Sequence, residues 1–295
     1  MYELPLITAD NFITYVLNGL SRGMIIFLVA SGLSLIFGLI GLINFAHGAM
    51  LALGGYGTYV VLQVTGNFWL GLVISVVLVT LLGLALERKV LYWIYDEPLL
   101  GFLSTFGIGL VIEEALAVYF GSRSYTVQSP LPESIQLFGV SYPSYRIFVI
   151  AVGAAVALAI GLLLTRTRLG LGIHATANMQ PTAEILGVDT SKVYTVTFVL
   201  GTALAALAGA LTAPITSMYP TIGLDYITMA FLVIIVGGMG SFKGSFVVSM
   251  IVGQVIAFGW LLLAPTYVRI LIFAAAMVFI LYKPRGFFGK PEVHE

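Results

Sequence analysis

Few residues of this 295-residue sequence have types and spacings that could support catalysis. Its three histidines, His47, His174 and His294, are far apart, and none lies in a metal-binding spacing such as HExxH. The sequence has no cysteine, which excludes thiol catalysis and thiolate metal sites, and it has no GxxxxGK[ST] phosphate loop. We therefore expect no enzyme activity, no metal site and no cofactor in this chain. If ATP drives its function, we expect the nucleotide to be bound by partner subunits.

The most polar patch inside an apolar stretch near the N-terminus is Asn44-Phe45-Ala46-His47-Gly48. Such a patch either lies at a helix break that lines a pathway for a solute, or forms a polar cluster that locks helix packing. The sequence leaves both interpretations open.

Two adjacent acids, Glu113 and Glu114, lie within another apolar run. Neighbouring positions of a helix point about 100° apart, so both carboxylates cannot face one cavity. Acids inside a membrane suggest function, but these two lie near one end of their run, where a side chain can reach interfacial water, which favours a structural or interfacial role. Arg22 is the obvious counter-charge for one of them. The candidates for lining a solute pathway are Asn44, His47, Gly48, Glu113 and Glu114.

The composition indicates an all-α polytopic membrane protein. Hydrophobic residues make up 60% of the chain and charged residues only 9%, whereas a soluble domain carries about 25% charged residues. A soluble enzyme, a disordered chain and, given the net charge of zero, a nucleic-acid-binding protein are excluded. We predict a single transmembrane domain over residues 1–295 with eight or nine crossings. The apolar runs are 12–36, 42–62, 68–86, 99–120, 146–165, 193–213, 226–239, 245–263 and 267–282.

Two glycine-rich regions, 38–57 and 237–244, are expected to be broken or re-entrant rather than simple spanning helices. The run 226–239 would form only about 21 Å of helix, which is short of the roughly 30 Å hydrocarbon core. The two regions share a loose pattern that is explained either by an internal repeat or by glycine-mediated helix packing. The predicted late break contains Gly237, Gly238, Gly240 and Gly244.

Basic residues alternate between successive polar breaks, which predicts the orientation in the membrane. The breaks rich in Lys and Arg are expected to be cytoplasmic, together with the C-terminus, and the N-terminus is expected outside. The N-terminus carries two acids and no basic residue, so it does not resemble a cleavable signal peptide. The nine basic residues in the predicted cytoplasmic breaks are Arg88, Lys89, Arg166, Arg168, Lys192, Lys243, Lys283, Arg285 and Lys290.

The longest basic break, residues 166–192, is predicted to contain a short helix outside the membrane. Asn178 can cap its start, Pro181 fits its first turn, and Gly187 can end it in a left-handed conformation. The helix either presents an apolar face to a partner or folds back onto its own chain. Its apolar residues are Ala183, Ile185, Leu186 and Val188.

Several motifs in this order resemble those of the branched-chain amino acid ABC transporter permeases of the LivH type. The string 43–48, Ile-Asn-Phe-Ala-His-Gly, is similar to the N-terminal signature of that family. Arg166-x-Arg168-x-Gly170 with Ala183-x3-Gly187 resembles its cytoplasmic coupling segment. The run 236–244 resembles its late glycine-rich motif, and 284–293 resembles its C-terminus.

The resemblance implies a permease subunit of an importer in a bacterial inner membrane. It implies four kinds of contact: a second homologous permease or a second copy of this chain, two ATP-binding subunits, a periplasmic substrate-binding protein, and membrane lipid. The substrate would be a branched-chain or other neutral amino acid, with urea or a short amide as the alternative. The alternative class of protein is an ion-coupled secondary transporter, which would need titratable groups at mid-membrane. The residues expected to couple to the ATPase are Arg168, Gly170, Asn178, Ala183, Glu184 and Gly187.

The predicted orientation is testable with reporter fusions. Alkaline phosphatase folds only outside the cytoplasm, so a fusion after Leu186 should be inactive and a fusion after Pro132 should be active. The reverse pattern of enzyme activity would contradict the orientation.

Overall fold

The computed structural model describes residues 9–95, 97–137 and 139–289. They form eleven α-helices, a short 3-10 helix at Leu91–Ile94 and one small antiparallel hairpin of β1 (Ser134–Leu137) and β2 (Val140–Pro143). The helices are α1 (Ala9–Ile40), α2 (Ala46–Thr65), α3 (Phe68–Lys89), α4 (Pro98–Phe120), α5 (Ser144–Arg166), α6 (Arg168–Asn178), α7 (Gln180–Ile185), α8 (Thr190–Thr212), α9 (Ile222–Gly237), α10 (Phe242–Leu262) and α11 (Pro265–Tyr282).

Each apolar run of the sequence becomes one helix, which confirms an all-α membrane protein. Seven helices of the described residues are long and apolar enough to cross a membrane. The helix α9 is apolar but has only 16 residues, about 24 Å, and is therefore shorter than the hydrocarbon core, as predicted.

The helices α1 and α8 form the centre of the bundle. Of their most apolar windows, 83% and 67% are buried, against 11–22% for α3, α4, α5 and α11. The buried face of α8 is made mostly of Gly, Ala and Thr residues, which allow neighbouring backbones to come close. The peripheral helices instead expose Leu, Val and Ile side chains, as expected for surfaces that face lipid.

Backbone contact at glycine joins α2 to α8. A Cβ atom on Gly209 would lie 1.9 Å from the carbonyl oxygen of Leu51, and one on Gly54 would lie 2.2 Å from that of Ala206. Any side chain at these positions would collide with main-chain atoms, which cannot rotate away. The same device joins α1 to α10, since a Cβ atom on Gly253 would lie 2.4 Å from the carbonyl oxygen of Gly19.

The two glycine-rich breaks meet at one end of the bundle. Gly41, with φ of 71°, follows the last residue of α1, and Gly238 and Gly240 take φ of 102° and 76° between α9 and α10. A Cβ atom on Gly38 would lie 2.7 Å from the Cα atom of Gly240. The broken helices are confirmed; the internal repeat stays a prediction.

The connections between the helices lie at two opposite ends of the bundle. The connection α9–α10 and the helices α6 and α7 lie at what we call the basic end, because predicted cytoplasmic Lys and Arg residues flank them. The end of α1 lies there too, since Gly38 packs against Gly240. At the opposite end, the loop after α4 pairs with the loop after α8 through two backbone hydrogen bonds between Tyr125 and Met218, of 2.8 and 2.7 Å.

A fully buried carboxyl group ties three elements together near the basic end. Oε1 of Glu87, at the end of α3, accepts hydrogen bonds from the hydroxyl groups of Tyr95 (2.8 Å) and Thr195 (3.0 Å). Burial, and then this hydrogen bond, raise the pKa of Tyr95. Removing a hydrogen-bond donor from a buried carboxyl group destabilises the fold, because the carboxyl oxygen is left without that partner.

Tyr95→Phe should therefore lower the free energy of unfolding by about 1–2 kcal/mol. The exposed neighbour Tyr92 offers a matched control, since it is 46% exposed, and Tyr92→Phe should leave stability unchanged. The measurement is thermal denaturation of the purified chain in detergent. Equal melting temperatures for both variants would contradict the role assigned to Glu87.

Candidate functional site

The polar patch of the sequence, residues 44–48, lies where α1 gives way to α2. Its backbone is held by Thr105 of α4, a fully buried residue whose Oγ1 accepts from the Phe45 amide (3.2 Å) and donates to the Ile43 carbonyl oxygen (3.2 Å). The Phe45 ring packs against Phe102 and Phe231, with ring centroids 5.1 and 4.9 Å apart. Thr105 was missed by sequence reasoning, because a hydroxyl group in an apolar run carries no signal of its partner.

The structure buries Asn44 and His47 in the interior. Their exposed fractions are 1% and 0%, and Nε2 of His47 lies 3.0 Å from the carbonyl oxygen of Val29, on α1. Gly32 provides the space for the ring, since a Cβ atom there would lie 2.8 Å from Cε1 of His47. These contacts fit a cluster that fixes the packing of α1 against α2.

Gly48 and Glu113 instead line a cleft of about 100 Å³ between α2, α4 and α9. A Cβ atom on Gly48 would lie 2.5 Å from the carbonyl oxygen of Gly223, so the glycine lets α9 begin directly against α2. Glu113 is half-buried at the cleft, whereas Glu114 is exposed on another face of α4. The expectation that the two acids cannot share a cavity is confirmed.

The hypothesis that Arg22 pairs with Glu113 or Glu114 is wrong. Salt bridges in the described part of the chain join Lys192 to Asp189 and Arg269 to Asp225. The Cζ atom of Arg22 lies 3.8 Å from the ring centroid of Trp260, on α10.

At the basic end, α5 turns directly into α6. Thr167 caps α6, because its Oγ1 accepts from the Gly170 amide at 3.1 Å. A Cβ atom on Gly170 would lie 2.3 Å from the carbonyl oxygen of Leu163, so only glycine lets α6 fold back this closely. Arg168 is exposed in the first turn of α6.

The short helix expected in this region is α7, with a start that differs from the prediction. Asn178 does not cap it; Asn178 is the last residue of α6 and donates to the His174 carbonyl oxygen (2.8 Å), while Met179 precedes α7. The predicted end is confirmed: Gly187 takes φ of 86°. The amides of Val188 and Gly187 donate to the carbonyl oxygens of Ala183 and Glu184, both at 2.9 Å, which is a Schellman motif.

The side chains of α7 divide into an inner and an outer set. Ala183 is 2% exposed, so its expected place on the outer face is wrong. Ile185 and Leu186 are 85% and 77% exposed and form that face. Oε1 of Glu184 accepts from Thr190 Oγ1 (2.7 Å) and Gln180 Nε2 (3.1 Å), and these hydrogen bonds, the first above all, lower the pKa of its carboxyl group.

The C-terminal segment covers the second glycine-rich break. The amides of Phe287 and Phe288 donate to the carbonyl oxygens of Val236 (2.8 Å) and Gly237 (3.0 Å), which the end of α9 leaves without helical partners. A Cβ atom on Gly244 would lie 2.1 Å from the Gly237 carbonyl oxygen, so α10 starts in contact with the end of α9.

Comparison with known proteins gives consistent results along the chain. High-affinity branched-chain amino acid transport system permease protein LivH of Escherichia coli K12 is 28% identical over 302 residues, covering 96% of this chain and 97% of the relative. LivH of Salmonella typhimurium is 27% identical over 300 residues with the same coverage. BraD of Pseudomonas aeruginosa, with a corresponding description, is 28% identical over 309 residues, covering 97% and 98%.

A solved structure, PsaBC from Streptococcus pneumoniae in complex with Fab, matches with a TM-score of 0.51 over 91% of each chain at 14% identity, which is a likeness of fold alone. The family model described as branched-chain amino acid transport system / permease component matches residues 15–281. The chain therefore belongs to the family of branched-chain amino acid transport system permease components.

Proposed function

We propose that this permease subunit imports branched-chain or other neutral amino acids, driven by two ATP-binding subunits and supplied by a periplasmic substrate-binding protein. The observation that carries the proposal is the family match over residues 15–281. The sequence supports it, because it has no phosphate loop with which to bind ATP itself. The setting would be a bacterial inner membrane, with the basic end in the cytoplasm.

The proposed contact with the ATPase is the outer face of α6 and α7. Leu171, Met179, Ile185 and Leu186 are between 60% and 85% exposed there, on helices too short and too polar at their flanks to span lipid. Exposed apolar side chains on a short helix are typical of a surface that inserts into a partner's groove. Arg168, Gly170, Glu184 and Gly187 would hold this surface in position.

The proposed pathway for the substrate runs along the cleft of Gly48 and Glu113. Phe45 and Gly223 line the same cleft, so it combines an apolar wall with one carboxyl group. A second permease subunit would complete the pathway from the other side. In this proposal, Asn44 and His47 hold the break at the start of α2, and Gly237, Gly238, Gly240 and Gly244 form the second break, where α9 meets α10.

The function is testable by reconstitution. The chain is co-expressed with candidate ATPases, a candidate second permease and a candidate binding protein from the same organism, and the assembly is placed in liposomes. Uptake of labelled leucine should require both enclosed ATP and the loaded binding protein. Uptake driven by an ion gradient without ATP would contradict the proposal, and uptake of urea but no amino acid would favour the alternative substrate.

Gly187→Val should separate ATP hydrolysis from uptake. At φ of 86°, a β-branched residue is strained by roughly 1–2 kcal/mol, although a Cβ atom meets nothing within 4 Å. That strain is small against the whole fold but would shift Ile185 and Leu186. We expect weaker ATPase association, or hydrolysis with reduced uptake, measured in the same liposomes.

The matched control is Gly139→Val. Gly139 has the same φ of 86° and the same open surroundings, but it lies in the hairpin turn at the opposite end. The Gly139→Val variant should keep ATP hydrolysis coupled to uptake. If Gly187→Val assembles and transports like the Gly139→Val control, α7 is not the coupling element.

A further inference from the structure

A second cavity, separate from the cleft of Gly48 and Glu113, opens at the end opposite the basic end. It has a volume of about 190 Å³ and lies between α1, α9, α10 and α11. Its polar lining includes Arg22, Asp225 and Arg269, and its walls include Trp260. A liquid water molecule occupies about 30 Å³, so the cavity has room for a small organic molecule.

Arg22 is the unusual group in this cavity. Its guanidinium forms no salt bridge and no hydrogen bond within the described residues, and its contact is the Trp260 ring, 3.8 Å from Cζ. A guanidinium carries five N–H donors and suits a carboxylate in a two-point geometry. A half-buried cation in an apolar helix without an anion is costly, and a bound anion would offset that cost.

The other cation of the region is already neutralised. Arg269 donates from Nη1 to Oδ1 of Asp225 at 2.7 Å, and the hydroxyl of Tyr219 donates to Oδ2 of the same carboxylate. Arg146, which also acts on Arg22 electrostatically, donates to Oδ1 of Asn18. The formal charges of the lining residues Arg22, Asp225 and Arg269 thus add up to +1. This net positive charge favours a ligand with one carboxylate.

Much of the remaining wall of the cavity is aliphatic, although the hydroxyl-bearing residues Thr216, Tyr219 and Tyr226 also line it. The aliphatic surface is formed by Ile26, Met229, Ile256, Val268 and Ile272. Such a wall removes a hydrocarbon side chain from water. A carboxylate receptor and an acidic group, with an aliphatic surface beside them, match the three parts of an apolar amino acid.

We propose that this cavity is a binding site for the zwitterion of an apolar amino acid. Arg22 holds the carboxylate, Asp225 accepts from the ammonium group, and the aliphatic wall packs against the side chain. The ligand identity rests on the proposed function, since it takes the transported substrate as the occupant. The site would receive the substrate at the end that the charge distribution assigns to the outside.

The test uses the fluorescence of Trp260 in the full chain. Trp69→Phe and Trp93→Phe leave Trp260 as the one tryptophan of the chain, because the sequence has three. The protein is placed in phosphatidylcholine nanodiscs and titrated with L-leucine. We expect a saturable change in emission, and we expect leucinamide, which lacks the carboxylate, and 4-methylpentanoate, which lacks the amine, each to bind about tenfold more weakly or worse.

Arg22→Gln should abolish the saturable fluorescence change on addition of leucine. Arg22→Lys should retain a weakened change, because lysine keeps the positive charge but lacks the planar guanidinium that binds a carboxylate through two hydrogen bonds. Arg123→Gln is the matched control, since Arg123 is exposed in a loop at the same end and does not line the cavity. A monodisperse size-exclusion profile for each variant excludes unfolding. Unchanged leucine binding in folded Arg22→Gln would overturn the proposal.

Two further outcomes bear on the ligand. Inorganic phosphate could saturate the fluorescence change as well as leucine does, or phosphatidylglycerol in the nanodiscs could abolish the response to leucine. Either result would assign the cavity to a phosphate group and would overturn the proposal of an amino acid ligand. Leucine uptake by the reconstituted importer separates this site from the proposed function: uptake without binding to the permease refutes the site alone, and binding without uptake refutes the import function alone.

Discussion

Direct contact between helix backbones is the constraint on which this structure depends. Lipid gives no hydrophobic drive for one apolar helix to associate with another, so packing must come from close fit. At Gly209 and Gly54 the backbones of α2 and α8 approach so closely that a single methyl group would overlap a carbonyl oxygen. The central position of α8, and the burial of α1 beside it, follow from that approach.

Close backbone contacts at glycine also determine where the helix breaks and the surfaces around them lie. Gly38 against Gly240 brings the two broken regions together, and Gly170 folds α6 back onto the end of α5. The helix α8 packs against both α7 and α2, and α2 lines the cleft at the start of α9. Also near the start of α9, Arg22 and Trp260 lie beside the second cavity, between α1, α9, α10 and α11.

The helices and their breaks could be predicted from the sequence, because lipid demands long apolar runs and left-handed backbone demands glycine at positions such as Gly187. Contacts between distant residues could not. A cation can pack on an aromatic ring as well as beside a carboxylate, and nothing in the sequence identifies Trp260 as the neighbour of Arg22. The helix α6 was missed because Gly170 and Gly172 disfavour a helix in isolation. In the fold, Gly170 serves the close fit to α5.

The most direct test replaces two helical glycines, one at a time, with alanine. Gly209→Ala puts a methyl group 1.9 Å from the Leu51 carbonyl oxygen, whereas Gly107→Ala on α4 meets nothing within 4 Å. Unfolding of both variants is followed by heating in detergent and size-exclusion chromatography. Gly209→Ala should aggregate or melt far below the parent, and Gly107→Ala should match it or gain about 0.5–1 kcal/mol from helix propensity. Equal stability of the two variants would contradict the account.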